Sequence, residues 1–372
     1  MSLTPRERVL LTLRHQESDR VPLDMMGNAT MLLDRTYLRL RDYLGLTPIP
    51  PVRSGTSANY YDARILERLG IDFRRLFLPE NPATRLTHHT DGAYTDAWGI
   101  RYQKDGAFVN LAESPLRGAQ SAREVEAHNW PTAGALFIPD GLAEKAKRAY
   151  QETDYALVAR NPLTAGFLDR AQQLMGMAEF LTALALAPEV AHSIIAHLLA
   201  IYKEVYAMFL DAVGPFVQMV EVADDLGAQR SLLISPAAYR EFIKPADREL
   251  YALIQEKAPH AALFRHVDGA IYPLIPDLIE VGVDVLNPVQ TSAAGMNAQR
   301  LKATFGDTLT FHGAIEKMEA SPEELVAEVK ERIAVLAPGG GYVLASCNHM
   351  IDVAPENILA MFDAAREYGR YC

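Results

Sequence analysis

The chain has 372 residues, 49% of them hydrophobic and 22% charged, the balance of a globular protein with enough length for one large α/β domain or two average ones. Its 36 Lys and Arg against 47 Asp and Glu leave a formal net charge of −11, which argues against a nucleic-acid binder, because phosphate contacts need a basic face. Two cysteines, Cys347 and Cys372, argue against a disulfide framework and for a reducing cytoplasm; Met1 to Arg8 carries no secretory apolar core, and no apolar run reaches the ~18 residues of a membrane span.

Thr4-Pro5-Arg6-Glu7 is a capping box that opens a helix through about Gln16. Arg20 to Met26 reads as a strand, Asp34 to Leu44 as a helix ended by Gly45, Ala63 to Leu69 as a helix and Asp72 to Leu78 as a strand. The rhythm then breaks. Thr90-Asp91-Gly92-Ala93 and Lys104-Asp105-Gly106-Ala107 are turn signals between short β-prone pieces, so an inserted antiparallel ribbon is expected near residues 85–116. Ser121-Ala122-Arg123-Glu124 is a second capping box.

From Tyr150 onward strands and helices alternate. Strands are expected at Tyr155 to Arg160, Phe216 to Asp225, Ala262 to Asp268, Val283 to Gln290, Leu309 to Ile315 and Tyr342 to Cys347. Helices are expected at Leu168 to Leu186, Pro188 to Val213, Pro236 to Lys257, Leu274 to Val281, Ser321 to Leu336 and Pro355 to Tyr368. Eight parallel strands separated by helices predict an α/β fold: one (β/α)8 TIM barrel over residues 1–372, with functional groups at the carboxyl ends of its strands. The rival, a doubly wound open sheet, lacks its Gly-rich phosphate loop; Gly339-Gly340-Gly341 precedes a strand and reads as a turn.

Closed into a barrel, the strand ends carry Asp24, Glu221, Asp224, Asp225, His266, Asp268, Asn287, Gln290, His312, Glu316, Cys347 and His349 around one bowl. His266 and Asp268 lie two residues apart, on one face of an extended chain. With Cys347 they offer the nitrogen, oxygen and sulfur donors that zinc accepts; a buried inert cysteine beside a hydrogen-bonded histidine is the alternative. Glu221 and Asp225 could serve as a metal ligand or general base, or as acids at a helix N-terminus. The amides Asn287 and Gln290 could polarise a carbonyl or hold a loop, and His312 is equally open. Met25 and Met26 read as wall.

Several segments resemble the uroporphyrinogen decarboxylase superfamily, which also contains cobalamin-dependent methyltransferases of the methylcobamide:coenzyme M type. They are Asp19-Arg20-Val21-Pro22, Asp96-Ala97-Trp98-Gly99-Ile100, Asp224-Asp225-Leu226-Gly227, Gly282 to Gln290, Gly339-Gly340-Gly341-Tyr342 and Pro355-Glu356-Asn357-Ile358. The resemblance implies a (β/α)8 barrel. It places Asp24, Met25 and Asn28 where the decarboxylases carry an arginine-rich substrate segment; Met25 to Thr30 has no arginine, which favours the methyltransferase branch. That branch implies zinc held by His266, Cys347 and Glu221, with Asp268 where the family has cysteine. Asp225, Asn287, Gln290 and His312 would then shape the pocket. It also implies a methyl transfer between a corrinoid and a small thiol, in the cytoplasm, with a homodimer as the family habit. His88-His89-Thr90-Asp91-Gly92 does not match a corrinoid-binding Asp-x-His-x-x-Gly stretch, so the methylcobamide is expected on a partner corrinoid protein. A cofactor-free decarboxylase using Asp24, Asp225 or Asp268, and a non-catalytic corrinoid or small-molecule binder, are the competing expectations.

Overall fold

The computed structural model describes residues 3–27, 30–53, 57–84, 86–105 and 108–371; Asn28 and Cys372 lie outside them. Strand β1 (Phe73–Leu76) is followed by four strands of a separate antiparallel sheet, β2 (Thr87–His88), β3 (Tyr94–Thr95), β4 (Arg101–Asp105) and β5 (Phe108–Glu113). This is the expected ribbon. Then come β6 (Ala156–Ala159), β7 (Met219–Ala223), β8 (Ala262–His266), β9 (Val285–Asn287), β10 (Thr310–Ile315) and β11 (Tyr342–Ser346). These six pair in sequence order with β1 into one parallel sheet of seven strands. β6, β7 and β11 are buried at every position, as strands covered on both faces require.

The eighth stave is Pro22 to Asp24, reduced to a single bridge. Leu23 pairs in parallel with Leu344 of β11, with Leu344 N donating to Pro22 O at 2.9 Å and Asp24 N to Leu344 O at 3.0 Å. On its other side Asp72 N donates to Leu23 O at 2.9 Å, and the Asp72 carboxylate accepts from Leu23 N at 2.8 Å. The ring therefore closes through both the backbone and a side chain. Asp72 is in turn held by Arg8 and Arg20, at 2.5 and 2.8 Å.

The capping box expected at Thr4 forms, and Ser321 caps its helix in the same way; at Ser121 only half of the box forms, Ser121 Oγ accepting from Glu124 N while the Glu124 carboxylate accepts from Gln120 N. The helix expected over Leu168 to Leu186 is two helices, Phe167–Met175 and Met177–Leu186, because Gly176 between them takes φ +99°, a conformation open to glycine. Helices at Leu142–Glu152 and Ala298–Phe305 went unanticipated. The helix Pro188–Val213 buries Val190, Ile194, Leu198, Ile201, Val205 and Phe209, a stripe at helical spacing facing the protein interior. Length and mean hydropathy make it able to cross a membrane, although half of the apolar stretch is buried inside the protein. The expectation that no segment reaches that apolarity is corrected to this extent.

Candidate metal centre

His266 is the last residue of β8, and its register partner on β9 is Asn287. One step beyond the pairs Val285–Thr310 and Leu286–Phe311 lies His312 on β10. Register thus delivers an imidazole, an amide and a second imidazole side by side. Asn287 Oδ1 meets His266 Nδ1 at 2.8 Å, and Asn287 Nδ2 meets His312 Nδ1 at 2.8 Å. His312 Nε2 reaches Asp24 Oδ2 at 2.8 Å.

Asp24 has four donors on its two oxygens: Arg75 Nη1 at 2.7 Å and Nη2 at 2.5 Å, His312 Nε2, and its neighbour Met25 N at 2.7 Å. Arg75 Nε donates to Glu221 Oε1 at 2.9 Å. The side chains of Asp24, Arg75, Glu221 and His312 have no solvent exposure. Burial alone would raise the carboxyl of Asp24, but Arg75 and His312 hold it well below the usual range. Burial likewise opposes the charge on Arg75, and Asp24 and Glu221 overcome it.

This chain fixes a tautomer. An ionised Asp24 only accepts, so His312 presents Nε2–H to it and keeps a lone pair on Nδ1. Asn287 must then turn its NH2 to His312 and its carbonyl to His266. His266 donates Nδ1–H to that carbonyl and is left with a lone pair on Nε2. A metal-binding histidine is prepared in this way, its other ring nitrogen donating to a carbonyl or carboxylate. The His266 Nε2 lone pair faces Asp225, 3.7 Å away.

Asp225, His266 and Asp268 bring one ligand atom each within 4.8 Å of one another. Asp225 Oδ1 accepts from Asp268 N at 3.0 Å, and Gln290 Oε1 accepts from Gly269 N at 2.6 Å. Gln290 therefore holds the loop that carries Asp268. Gly269 takes φ +89°, and a Cβ there would stand 2.4 Å from the backbone of Gly227. The two glycines let the loops after β7 and β8 touch, which brings Asp225 to Asp268.

The local charge is negative and under strain. Burial, reinforced by Asp225 and opposed by His266, raises the Asp268 carboxyl. Burial and then Asp225 push Asp169 up to about 6. Asp268 Oδ1 is buried with no hydrogen-bond partner among the described residues. A divalent cation would satisfy that oxygen, use the His266 lone pair and relieve the crowding of acids. One imidazole and two carboxylates form a donor set zinc accepts, with room for an exogenous ligand. The residues present fit a metal.

Two of the ligands expected from the resemblance are not in this group. Glu221 is engaged by Arg75 inside the barrel, with Oε2 left unpartnered. Cys347 donates its S–H to Pro288 O at 3.2 Å, and burial, then Glu316, pushes its thiol well above the ordinary value. In this structure both side chains are engaged outside the group of Asp225, His266 and Asp268. Asp225, expected as a pocket-shaping base, takes the place as a ligand candidate. Asp24 and Met25, at the segment where the decarboxylases carry their substrate arginines, are each 1% exposed. Asp224 accepts from Leu168 N and Asp169 N at 2.6 and 2.9 Å, capping the helix Phe167–Met175. Burial brings His349 down to about 4, so it is neutral at physiological pH.

Sequence reasoning passed over Arg75 and Arg160. The signal was available: an arginine within or just after a short apolar barrel strand has a stem too short to reach water past the helices, so it needs buried partners.

Asn287→Ala is expected to cost 10–100-fold in zinc affinity, on the order of losing any partner behind a metal-bound histidine, because His266 loses its tautomer control. Competition against a colorimetric chelator measures it, and unchanged affinity would remove Asn287 from this role.

The seven-strand parallel sheet closed by an eighth stave, with polar groups gathered at its carboxyl ends, defines a TIM-barrel-like enzyme scaffold. The sequence profile of uroporphyrinogen decarboxylase (URO-D) matches residues 163–368, more than half of the chain, and the protein belongs to that family. A methyltransferase from Methanosarcina mazei is similar in structure, with a TM-score of 0.64 and 17% identity over 99% of each chain; at that identity the likeness is one of fold. A hyperthermophilic beta-glucosidase from Pyrococcus furiosus aligns with a TM-score of 0.40 and 11% identity, over 83% of each chain. No curated protein sequence matches the chain.

Proposed function

We propose that the chain is a metal-dependent methyltransferase of the uroporphyrinogen decarboxylase superfamily, moving a methyl group between a corrinoid carried by a partner protein and a small thiol. The observation that carries this reading is the group Asp225, His266 and Asp268, with the His266 Nε2 lone pair turned toward it. These three residues would hold zinc. A Lewis acid at that point lets a thiol acceptor ionise at neutral pH and attack as thiolate.

The chain's own residues do the rest. Asn287 orients the His266 ring. Asp225 and Asp268 compensate the cation's charge, and Gln290 fixes the Asp268 loop. Asp225 keeps 37% of its side chain exposed, which leaves an approach for the acceptor. Cys347 stays a neutral thiol and does not compete as a nucleophile. The saturation of Asp24 by four donors counts against a cofactor-free decarboxylase that uses it. A cytoplasmic homodimer that binds neither nucleic acid nor membrane completes the reading.

The test is the demethylation of free methylcobalamin by zinc-loaded protein in the presence of 2-mercaptoethanol, followed by the corrinoid's visible spectrum. Zinc-dependent turnover is expected. A protein that binds no zinc, or that turns over equally well after chelation, overturns the proposal.

A further inference from the structure

A cavity of about 550 Å3 opens at the ends of β1 and β6, a size suited to a small organic ligand. Met26, Val52, Tyr61, Phe77 and Phe137 give it an apolar and aromatic wall. Arg75 reaches the same cavity, and through Asp24, His312 and Asn287 its hydrogen bonds run to His266.

Arg160 is the unusual residue here. It lines the cavity and is only 7% exposed. No carboxylate stands within ion-pair distance of it among the described residues. Among the described residues its hydrogen bond is a long one, Nη1 to Asn161 O at 3.4 Å, and its Nε has no acceptor. Asn161, 2% exposed and on the same wall, has an Nδ2 without an acceptor. Its Oδ1 is occupied by Leu163 N at 3.0 Å and Tyr206 OH at 3.2 Å. Buried guanidinium and amide donors ordinarily have partners, and leaving them bare is costly. Arg53 and Lys145 line the cavity as well, against one lining acid, Glu80. Burial brings Arg160 down only to about 10, so it is a cation at neutral pH.

We propose that this cavity is a substrate subsite for a small carboxylate with an apolar or aromatic body, in which Arg160 pairs with the carboxylate and the aromatic wall takes the rest. A guanidinium matches a carboxylate edge in a way no neutral group does. One buried arginine compensates one negative charge; a phosphate would bring a second one toward Glu221 and Asp24. The subsite stands on its own geometry. Its service to the methyl acceptor or donor rests on the function proposed above.

Benzoate is the probe and benzamide its uncharged counterpart, with binding to the full chain followed by calorimetry. Benzoate is expected to bind at least about tenfold more tightly than benzamide, the scale of one charge-assisted hydrogen-bonded pair. Arg160→Gln is expected to remove that preference, and Arg53→Gln to reduce it. His266→Ala is expected to leave it unchanged. Unfolding midpoints of the two arginine variants show whether they fold, and Arg53→Gln serves where Arg160→Gln does not. Equal affinity for benzoate and benzamide, no saturable benzoate binding, or full benzoate affinity in folded Arg160→Gln protein would overturn the subsite. Benzoate selectivity in a protein that fails the methylcobalamin assay leaves the subsite standing and counts against the methyl-transfer reading alone.

Discussion

Replacing His266 with alanine is expected to lower zinc affinity by more than about 100-fold, beyond the range for losing a partner behind a ligand, and to abolish any zinc-dependent methyl transfer. Replacing Cys347 with serine is expected to leave zinc stoichiometry unchanged. The contrast follows from where the two side chains point. His266 Nε2 faces Asp225 across 3.7 Å, whereas the Cys347 sulfur is turned to the Pro288 carbonyl at 3.2 Å. Elemental analysis of the two purified variants, after dialysis against a weak chelator, decides it. Loss of zinc from Cys347→Ser with retention in His266→Ala would restore the sulfur-based ligand set and dismiss the carboxylate one. Asp268→Asn supplies an intermediate case: the amide keeps one oxygen donor but gives up the charge, so weaker binding with the same stoichiometry is expected.

The second large effect concerns Arg75. Arg75→Met is expected to destabilise the fold by about 3–5 kcal/mol, the cost of leaving buried charges without their partner. Two carboxylates, Asp24 and Glu221, are abandoned at once. Equilibrium urea unfolding measures the loss. The triple variant Arg75→Met, Asp24→Asn, Glu221→Gln is expected to recover much of it, because replacing a whole buried ion group by neutral residues removes the desolvation penalty along with the attraction. No recovery would mean that Arg75 acts by packing. The pH dependence has a definite sign. Asp24 has a folded-state pKa below its unfolded value, so its stabilising contribution is complete above the ordinary carboxylate pKa of ~3.9 and is lost as pH falls toward the depressed value. Wild-type protein should therefore lose more stability on acidification below pH 4 than the triple variant does.

Much of the architecture could be read from residue order alone. Helices Ala63–Leu69, Pro188–Val213 and Pro355–Tyr368 fall where cap, period and stop residues put them, and the turn signals around Asp91 and Asp105 fall between strands of the ribbon. His266 and Asp268 share one side of the chain because alternation along an extended segment requires it. Cys347 shows the limit. Its distance along the chain from His266 says nothing about the rotation of a side chain just past a strand end, and the carbonyl of Pro288 captures the thiol. Asp225 was harder still, since its approach to Asp268 depends on two glycines, Gly227 and Gly269, packed back to back on different loops. Arg75 was hidden for a related reason: its partners Asp24 and Glu221 lie 51 and 146 positions away along the chain.

The stave at Leu23 carries a consequence for biosynthesis. Its bridge to Leu344 spans 321 positions (344 − 23), so the ring is sealed only after Leu344 has left the ribosome. Until then the sheet of β1 and β6 to β10 has a ragged seam. Contacts of such long sequence separation form slowly and leave unpaired edges open meanwhile. Until that pairing forms, the open seam exposes the nascent protein to misassociation.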